Sequence, residues 1–115
     1  MSSDSTSDPQ PVQRVCFIMQ LKRDRVDDYL EVHAHVWPEM LKALSESGYR
    51  NFSLFVRRDD GLVVAYLETD DYDQAAAAMA LREVNTRWQE GMAQYFEQGR
   101  PDKQSDLLEH YFHLA

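Results

Sequence analysis

Two runs of strand-forming residues, NFSLFV and LVVAYLET, are separated only by RRDDG. Both are rich in β-branched and aromatic side chains, and the first alternates in the way a half-buried strand requires. Asp60-Gly61 between them is a hairpin signal, because the turn needs residues that tolerate positive φ. A short connection of this kind joins antiparallel neighbours and leaves no room for a crossover. Residues 51–56 and 62–69 are therefore predicted to form an antiparallel hairpin.

The flanking sequence supplies the rest of the architecture. RVCFIMQL, residues 14–21, reads as an earlier strand, with Val15, Phe17, Met19 and Leu21 on one face and Cys16, Ile18 and Gln20 on the other. Asp24 is a candidate N-cap, with Asp27 and Asp28 in the first turn, where the helix dipole favours negative charge. Val26, Tyr29, Leu30 and His33 then recur at helical spacing. Pro38 interrupts: the residue before proline avoids the α region, and proline suits the first position of a new helix. The helix should break near Trp37 and restart in PEMLKALSESG, with Gly48 as its stop. After the hairpin, Asp70 or Asp71 can cap a second helical region running through AAAAMA and NTRWQEGMAQYFE, with Val84, Trp88, Met92 and Tyr95 or Phe96 along one face. QGRPDKQSD reads as a loop and LLEHYFHL, residues 107–114, as a last strand.

The order β, α, β, β, α, β specifies a ferredoxin-like α+β fold, βαββαβ, with helices on one side of a four-stranded antiparallel sheet. The other sheet face would carry Phe17 and Met19 or Cys16 and Ile18, depending on which parity points that way. An apolar face of that kind marks an interface. A face-to-face homodimer of the dimeric α/β-barrel type is expected.

The chain has 115 residues, which suits one domain, here 14–115 behind a disordered tail at 1–13 that is rich in Ser, Asp and Pro. A formal net charge of −8 argues against binding nucleic acid or an anionic membrane, both of which call for clustered cations. The single cysteine, Cys16, permits no internal disulfide and reads as a small buried hydrophobe. With no secretory signal and no apolar run long enough to span a bilayer, a cytoplasmic location is expected.

The chemically capable groups gather in YLEVHAHVWPEM. His33 lies four residues after Tyr29 and four before Trp37, so a phenol, an imidazole and an indole would share one side of a helix if the break at Pro38 leaves the last turn intact. Such a cleft could exchange protons near neutral pH and stack on the apolar face of a sugar. A histidine on a helix face can equally be packed or solvated. His35 points to the far side, so HAH is a poor metal motif on a helix. His110 and His113 in the last strand would fall on opposite faces, and no spacing indicates a zinc site. The carboxylates look like caps, turns and a solvated helix face. Trp88 is either a core aromatic or a second wall of the cleft.

FIMQL, Y-x-x-x-H-x-x-x-WPEM, SGYRNFSLF, VNTRWQ and the terminal EHYFHL, taken in order from Val15 to Leu114, resemble the L-rhamnose mutarotase family. The resemblance implies a dimeric ferredoxin-like domain that interconverts the α and β anomers of a 6-deoxy-L-hexose, without cofactor or metal. It implies that His33 is the proton-donating residue and Tyr29 a substrate-binding one. Trp37 and Trp88 would stack on the sugar or shape its pocket. Phe52 stands where the family often has a substrate-contacting tyrosine, Gln89 replaces the second of two paired tryptophans, and GRPDKQSD lacks the family's common PDNSP string. Phe52 and Gln89 fall at positions expected to contact sugar. L-fucose mutarotation is the nearest alternative within the fold, and a dimeric ferredoxin-like module that binds a small molecule without turning it over is the rival from another class.

Overall fold

The computed structural model describes residues 12–115. Strand β1 (Gln13–Gln20) leads through a short 3-10 turn into helix α1 (Val26–His33), and helix α2 (Pro38–Ser47) follows. Strands β2 (Arg50–Arg57) and β3 (Leu62–Thr69) form the hairpin, followed by helices α3 (Tyr72–Ala80) and α4 (Glu83–Met92) and a short β4 (Asp106–Leu108). The sheet order is β2-β3-β1-β4, every pair antiparallel. This is the ferredoxin-like arrangement expected from the order of elements.

The hairpin turn is held by Asp60. Its carboxylate accepts from Arg57 Nε and Nη2 at 3.0 and 2.6 Å and from the Leu62 backbone N–H at 3.2 Å. Gly61 has φ of +80°, and a Cβ there would meet the Leu21 carbonyl at 3.1 Å, so both conformation and space require glycine. Along β3 the alternation is clean. Val63, Ala65, Leu67 and Thr69 are buried under the helices, while the intervening residues face the other way. In register with them, Val15, Phe17 and Met19 of β1 point to the helices, whereas Cys16, Ile18, Val64, Tyr66 and Leu108 share the open face. Cys16 is half-buried there rather than fully buried.

The helical layer breaks where proline demands it. α1 ends at His33, Trp37 is extended at φ −59° and ψ 135°, and Pro38 opens α2. α2 stops at Gly48 with φ of +106°, where the Tyr49 N–H reaches the Leu44 carbonyl at 3.0 Å and the Gly48 N–H the Ser45 carbonyl at 3.1 Å. This is a Schellman stop. Asp71 caps α3, accepting from the Gln74 N–H at 3.1 Å.

Further expectations need correction. Asp24 lies inside the 3-10 turn and does not cap α1, whose first residue follows Arg25 with no side-chain cap. The second helical region is two helices, parted at Leu81 and an extended Arg82 whose side chain reaches Glu46 at 3.0 Å. The last strand covers only Asp106–Leu108, not 107–114. Pairing with β1 ends at Cys16–Leu108 although β1 continues to Gln13, so residues 109–114 leave the sheet edge. Tyr111, Phe112 and Leu114 are exposed accordingly. Of the expected tail, residues 1–11 lie outside the described residues, and Gln13 already belongs to β1.

Candidate active site

Tyr29 and His33 lie one turn apart on α1, and that spacing brings their rings together at 4.3 Å between centroids. Tyr29 is packed edge-on against Phe96 at 5.3 Å and is buried. α4 crosses in front with Trp88, whose ring meets the His33 ring edge-on at 5.3 Å. The phenol is thus fixed from behind and the imidazole is held between two aromatic walls.

These residues open onto a cavity of about 550 Å³ between the helices and the sheet. Tyr29, His33, Phe52, Trp88 and Gln89 all line it. Such a volume falls in the range of roughly 300–1,000 Å³ common to small-molecule sites, and the lining is mainly apolar with a few polar groups, as such sites require. Phe52 enters from β2 and leans on Tyr49 at 5.5 Å. Methionines 40, 79 and 92 fill much of the remaining wall.

Trp37 is the expected site residue that does not reach the cavity. The turn carrying it is not helical, so it leaves the Tyr29–His33 line and stands outside Trp88, edge-on at 5.0 Å. The Arg87 guanidinium lies 5.5 Å from the Trp37 ring centre and within 3.5 Å of Glu39. Trp37 is therefore a buttress for Trp88. His35 is exposed past the end of α1, away from the cavity. His110 and His113 face each other at 6.4 Å on the exposed C-terminal segment, not on two faces of a strand. Among the described residues, no three His, Cys, Asp or Glu side chains come close enough together to hold a metal ion.

The electrostatics favour uncharged forms. Burial lowers the pKa of His33, and the Tyr29 carbonyl opposes this more weakly. The imidazole is accordingly neutral at pH 7. Its Nδ1 is buried, and the Tyr29 carbonyl one turn back is too poorly aligned for a full hydrogen bond. Burial raises the pKa of Tyr29, and it pushes the Tyr49 phenol up to about 12, with Tyr72 adding to it. Both phenols stay protonated and can donate to a ligand oxygen.

Asn85 is a site residue absent from the sequence expectations. It is only 4% exposed, lines the cavity, and accepts from Gln89 Nε2 at 3.1 Å. The signal was present: Asn85 and Gln89 are four apart, each one residue beyond an apolar position of the Val84–Trp88 stripe. Asp102 also borders the cavity while its carboxylate holds Arg100 at 3.0 and 2.7 Å.

A ferredoxin-like sheet with an aromatic-walled, histidine-bearing cavity under its helices describes a small-molecule enzyme. Comparison with known proteins makes this specific. The L-rhamnose mutarotase family model matches residues 14–114. The chain is 35% identical over 82 residues to the L-rhamnose mutarotase of Bacillus subtilis, covering 71% of this chain and 78% of that one. It is 30% identical over 105 residues to that of Oceanobacillus iheyensis, covering 90% and 99%. The crystal structure of an L-rhamnose mutarotase from Formosa agariphila superposes with a TM-score of 0.76 at 26% identity, over 90% of this chain and 99% of that one. A putative antibiotic biosynthesis monooxygenase from Nitrosomonas europaea shares the fold at a TM-score of 0.61 and 15% identity. The chain belongs to the L-rhamnose mutarotase family.

Proposed function

We propose that this protein is a mutarotase that interconverts the α and β anomers of L-rhamnose in the cavity beside His33. One observation carries the reading: an imidazole that burial keeps neutral, clamped between Tyr29 and Trp88 at the wall of a cavity of about 550 Å³. Family membership points the same way.

Anomerisation needs only proton movement. The O1–H proton leaves, the C1–O5 bond breaks with its electron pair going to O5, and O5 takes a proton. Rotation about C1–C2 and reversal of these steps close the ring on the other face of the aldehyde. A neutral His33 first serves as base toward O1–H. Its conjugate imidazolium is then the acid for O5. General acid–base assistance of this kind is worth about a hundred- to ten-thousand-fold. Tyr29 and Tyr49, held protonated by burial, orient sugar oxygens by donating to them. Trp88 and Phe52 present apolar surface to the sugar ring, and Trp37 keeps Trp88 in place. The substrate is neutral and calls for no cationic clamp. The chemistry calls for no cofactor or metal.

The reading includes a cytoplasmic enzyme acting as a homodimer. Among the described residues no helix is long and apolar enough to cross a membrane. The dimer is supported by the sheet face of Ile18, Val64, Tyr66 and Leu108, over which no helix lies among the described residues, and by the exposed Tyr111, Phe112 and Leu114. Sedimentation equilibrium should return twice the chain mass, and a monomer at tens of micromolar would exclude the dimer.

Saturation-transfer NMR on the anomeric protons tests the activity. L-Rhamnose should exchange between anomers well above the buffer rate, and faster than L-fucose. Exchange confined to L-fucose would reassign the substrate. Binding without exchange of either sugar would leave a ligand-binding module and sink the mutarotase.

A further inference from the structure

Strand β2 is irregular at its start. Arg50 pairs with Glu68 and Ser53 with Tyr66, so Asn51 and Phe52 together stand opposite the single residue Leu67. An extra residue in one strand is a β-bulge, and it re-aims the side chains beside it. Asn51 carries the bulge at φ of +49°, a conformation that glycine adopts freely and asparagine tolerates better than most residues. Its side chain is tied down. Asn51 Nδ2 donates to Glu68 Oε1 at 2.8 Å, and the Tyr66 hydroxyl donates to Glu68 Oε2 at 2.7 Å. Tyr66 and Glu68 alternate with the buried Leu67, so this anchor lies on the sheet face away from the helices.

The extra residue decides which way Tyr49 faces. Tyr49 and Phe52 are three apart, and in a regular strand that spacing sends two side chains to opposite faces. Here both line the cavity, with ring centres 5.5 Å apart. Tyr49 also packs against the buried residues under the helices and meets Tyr72 of α3 at 6.5 Å. Without the bulge Tyr49 would take the parity of Ser53, on the face that carries Tyr66.

We propose that the Asn51 bulge is a positioning device of the sugar site: it turns the Tyr49 phenol from the far face of the sheet into the cavity, where its hydroxyl donates to a sugar oxygen. The inference rests on the mutarotase reading for the class of ligand. Phe52 beside it has no hydroxyl to offer, so Tyr49 supplies the donor on this wall. Burial keeps that phenol protonated. Tyr49 is thus a binding residue, Asn51 a positioning residue that acts from the other side of the sheet, and neither takes the proton.

The experiment compares wild type, Tyr49→Phe, Asn51→Val, Asn51→Gly and the double variant Tyr49→Phe with Asn51→Val. L-Rhamnose affinity is read by NMR titration of the protein, independently of turnover, and the contact between the rings of residues 49 and 52 by NOE. Tyr49→Phe should weaken binding about three- to tenfold, the worth of one net hydrogen bond, and keep the ring contact. Valine disfavours positive φ and suits a regular strand. Asn51→Val should therefore lose the ring contact and weaken binding by a similar factor. The double variant should bind no worse than either single one, because both remove the same interaction. Asn51→Gly also lacks the bond to Glu68, but it accepts the bulge conformation, so it should keep the ring contact and bind more tightly than Asn51→Val. Asn51→Ala provides the same comparison in a milder form should the valine variant fail to fold. Tyr49→Phe binding like wild type, additive losses in the double variant, or weakened binding with the ring contact intact in Asn51→Val would each overturn the proposal. So would a wild type that does not bind L-rhamnose. Affinities in the expected order with no anomer exchange in wild type would keep the bulge device and remove the mutarotase.

Discussion

His33 and His110 are each set among aromatic residues, YLEVHAHVW in one case and EHYFHL in the other, yet their surroundings share little. His33 ends a helix that is pressed onto the sheet. Tyr29 lies behind it at 4.3 Å, Trp88 in front at 5.3 Å, and a cavity alongside. His110 follows a strand of three residues, is exposed, and directs Nε2 to the Phe112 carbonyl at 3.1 Å on its own segment. Tyr111 beside it is 91% exposed, whereas Tyr29 is 3% exposed. The same residue types therefore form a site in one region and a solvated tail in the other. What separates them is enclosure, which fixes the ring geometry around His33 and sets a cavity against it. Neither follows from composition.

The largest effect should come from His33. His33→Ala is expected to lower anomer exchange of L-rhamnose by about a hundred- to ten-thousand-fold, with sugar affinity changed much less. Exchange and affinity falling together by a similar factor would mean that His33 only shapes the pocket, and the contrast with His110 would lose its chemical content.

A smaller but more diagnostic effect is expected from pH. The folded-state pKa of His33 lies below the usual 6.5, because burial disfavours the imidazolium. If the neutral form starts the reaction, exchange should be flat above about pH 6.5 and fall on acidification, with a midpoint below that value. Stability carries the same sign. Above the unfolded pKa neither state holds the proton and His33 contributes nothing. As pH falls through that value toward the folded pKa, the unfolded chain takes up a proton that native His33 refuses, so stability is lost. The difference in melting temperature between wild type and His33→Gln should therefore be constant above pH 7 and change below it, with the wild type losing more. An unchanged difference down to pH 5 would show that His33 is not held neutral by its surroundings.

Much of this contrast could be read from the sequence, and the failures have identifiable causes. The hairpin was legible because Asp60-Gly61 has local turn chemistry. The break before α2 was legible because Pro38 constrains its neighbour. The Tyr29–His33 pairing followed from a spacing of one helical turn. The break at Leu81–Arg82 was not legible, since neither glycine nor proline marks it and the Arg82–Glu46 contact bridges distant parts of the chain. Trp37 was misplaced for a related reason. Four-residue spacing aligns side chains only while the helix continues, and the proline that was correctly read as a break also removes that alignment. The last strand is shorter than its propensity suggests because LLEHYFHL favours strand throughout, whereas pairing with β1 ends at Cys16–Leu108. Asn85 was passed over because its role appears only once Gln89 is seen to donate to it.

The smallest effect expected is the one that tests the other half of the comparison. His110→Ala with His113→Ala removes two imidazoles whose rings stand 6.4 Å apart in solvent. Exposed substitutions of this sort shift stability by no more than about 0.5 kcal/mol, and the exchange rate per chain should stay within about twofold, against a hundredfold or more for His33→Ala. The proposed dimer sharpens the test, because the C-terminal segment is where a second copy would gain most from covering Tyr111, Phe112 and Leu114. Rates measured across a dilution series separate the possibilities. A double variant that matches wild type at every concentration leaves these histidines as surface groups. A variant that matches wild type only when concentrated would place them in the contact between copies. A variant that is slow at every concentration would mean that the tail supplies a group to the reaction, and enclosure within one chain would no longer distinguish His33 from His110.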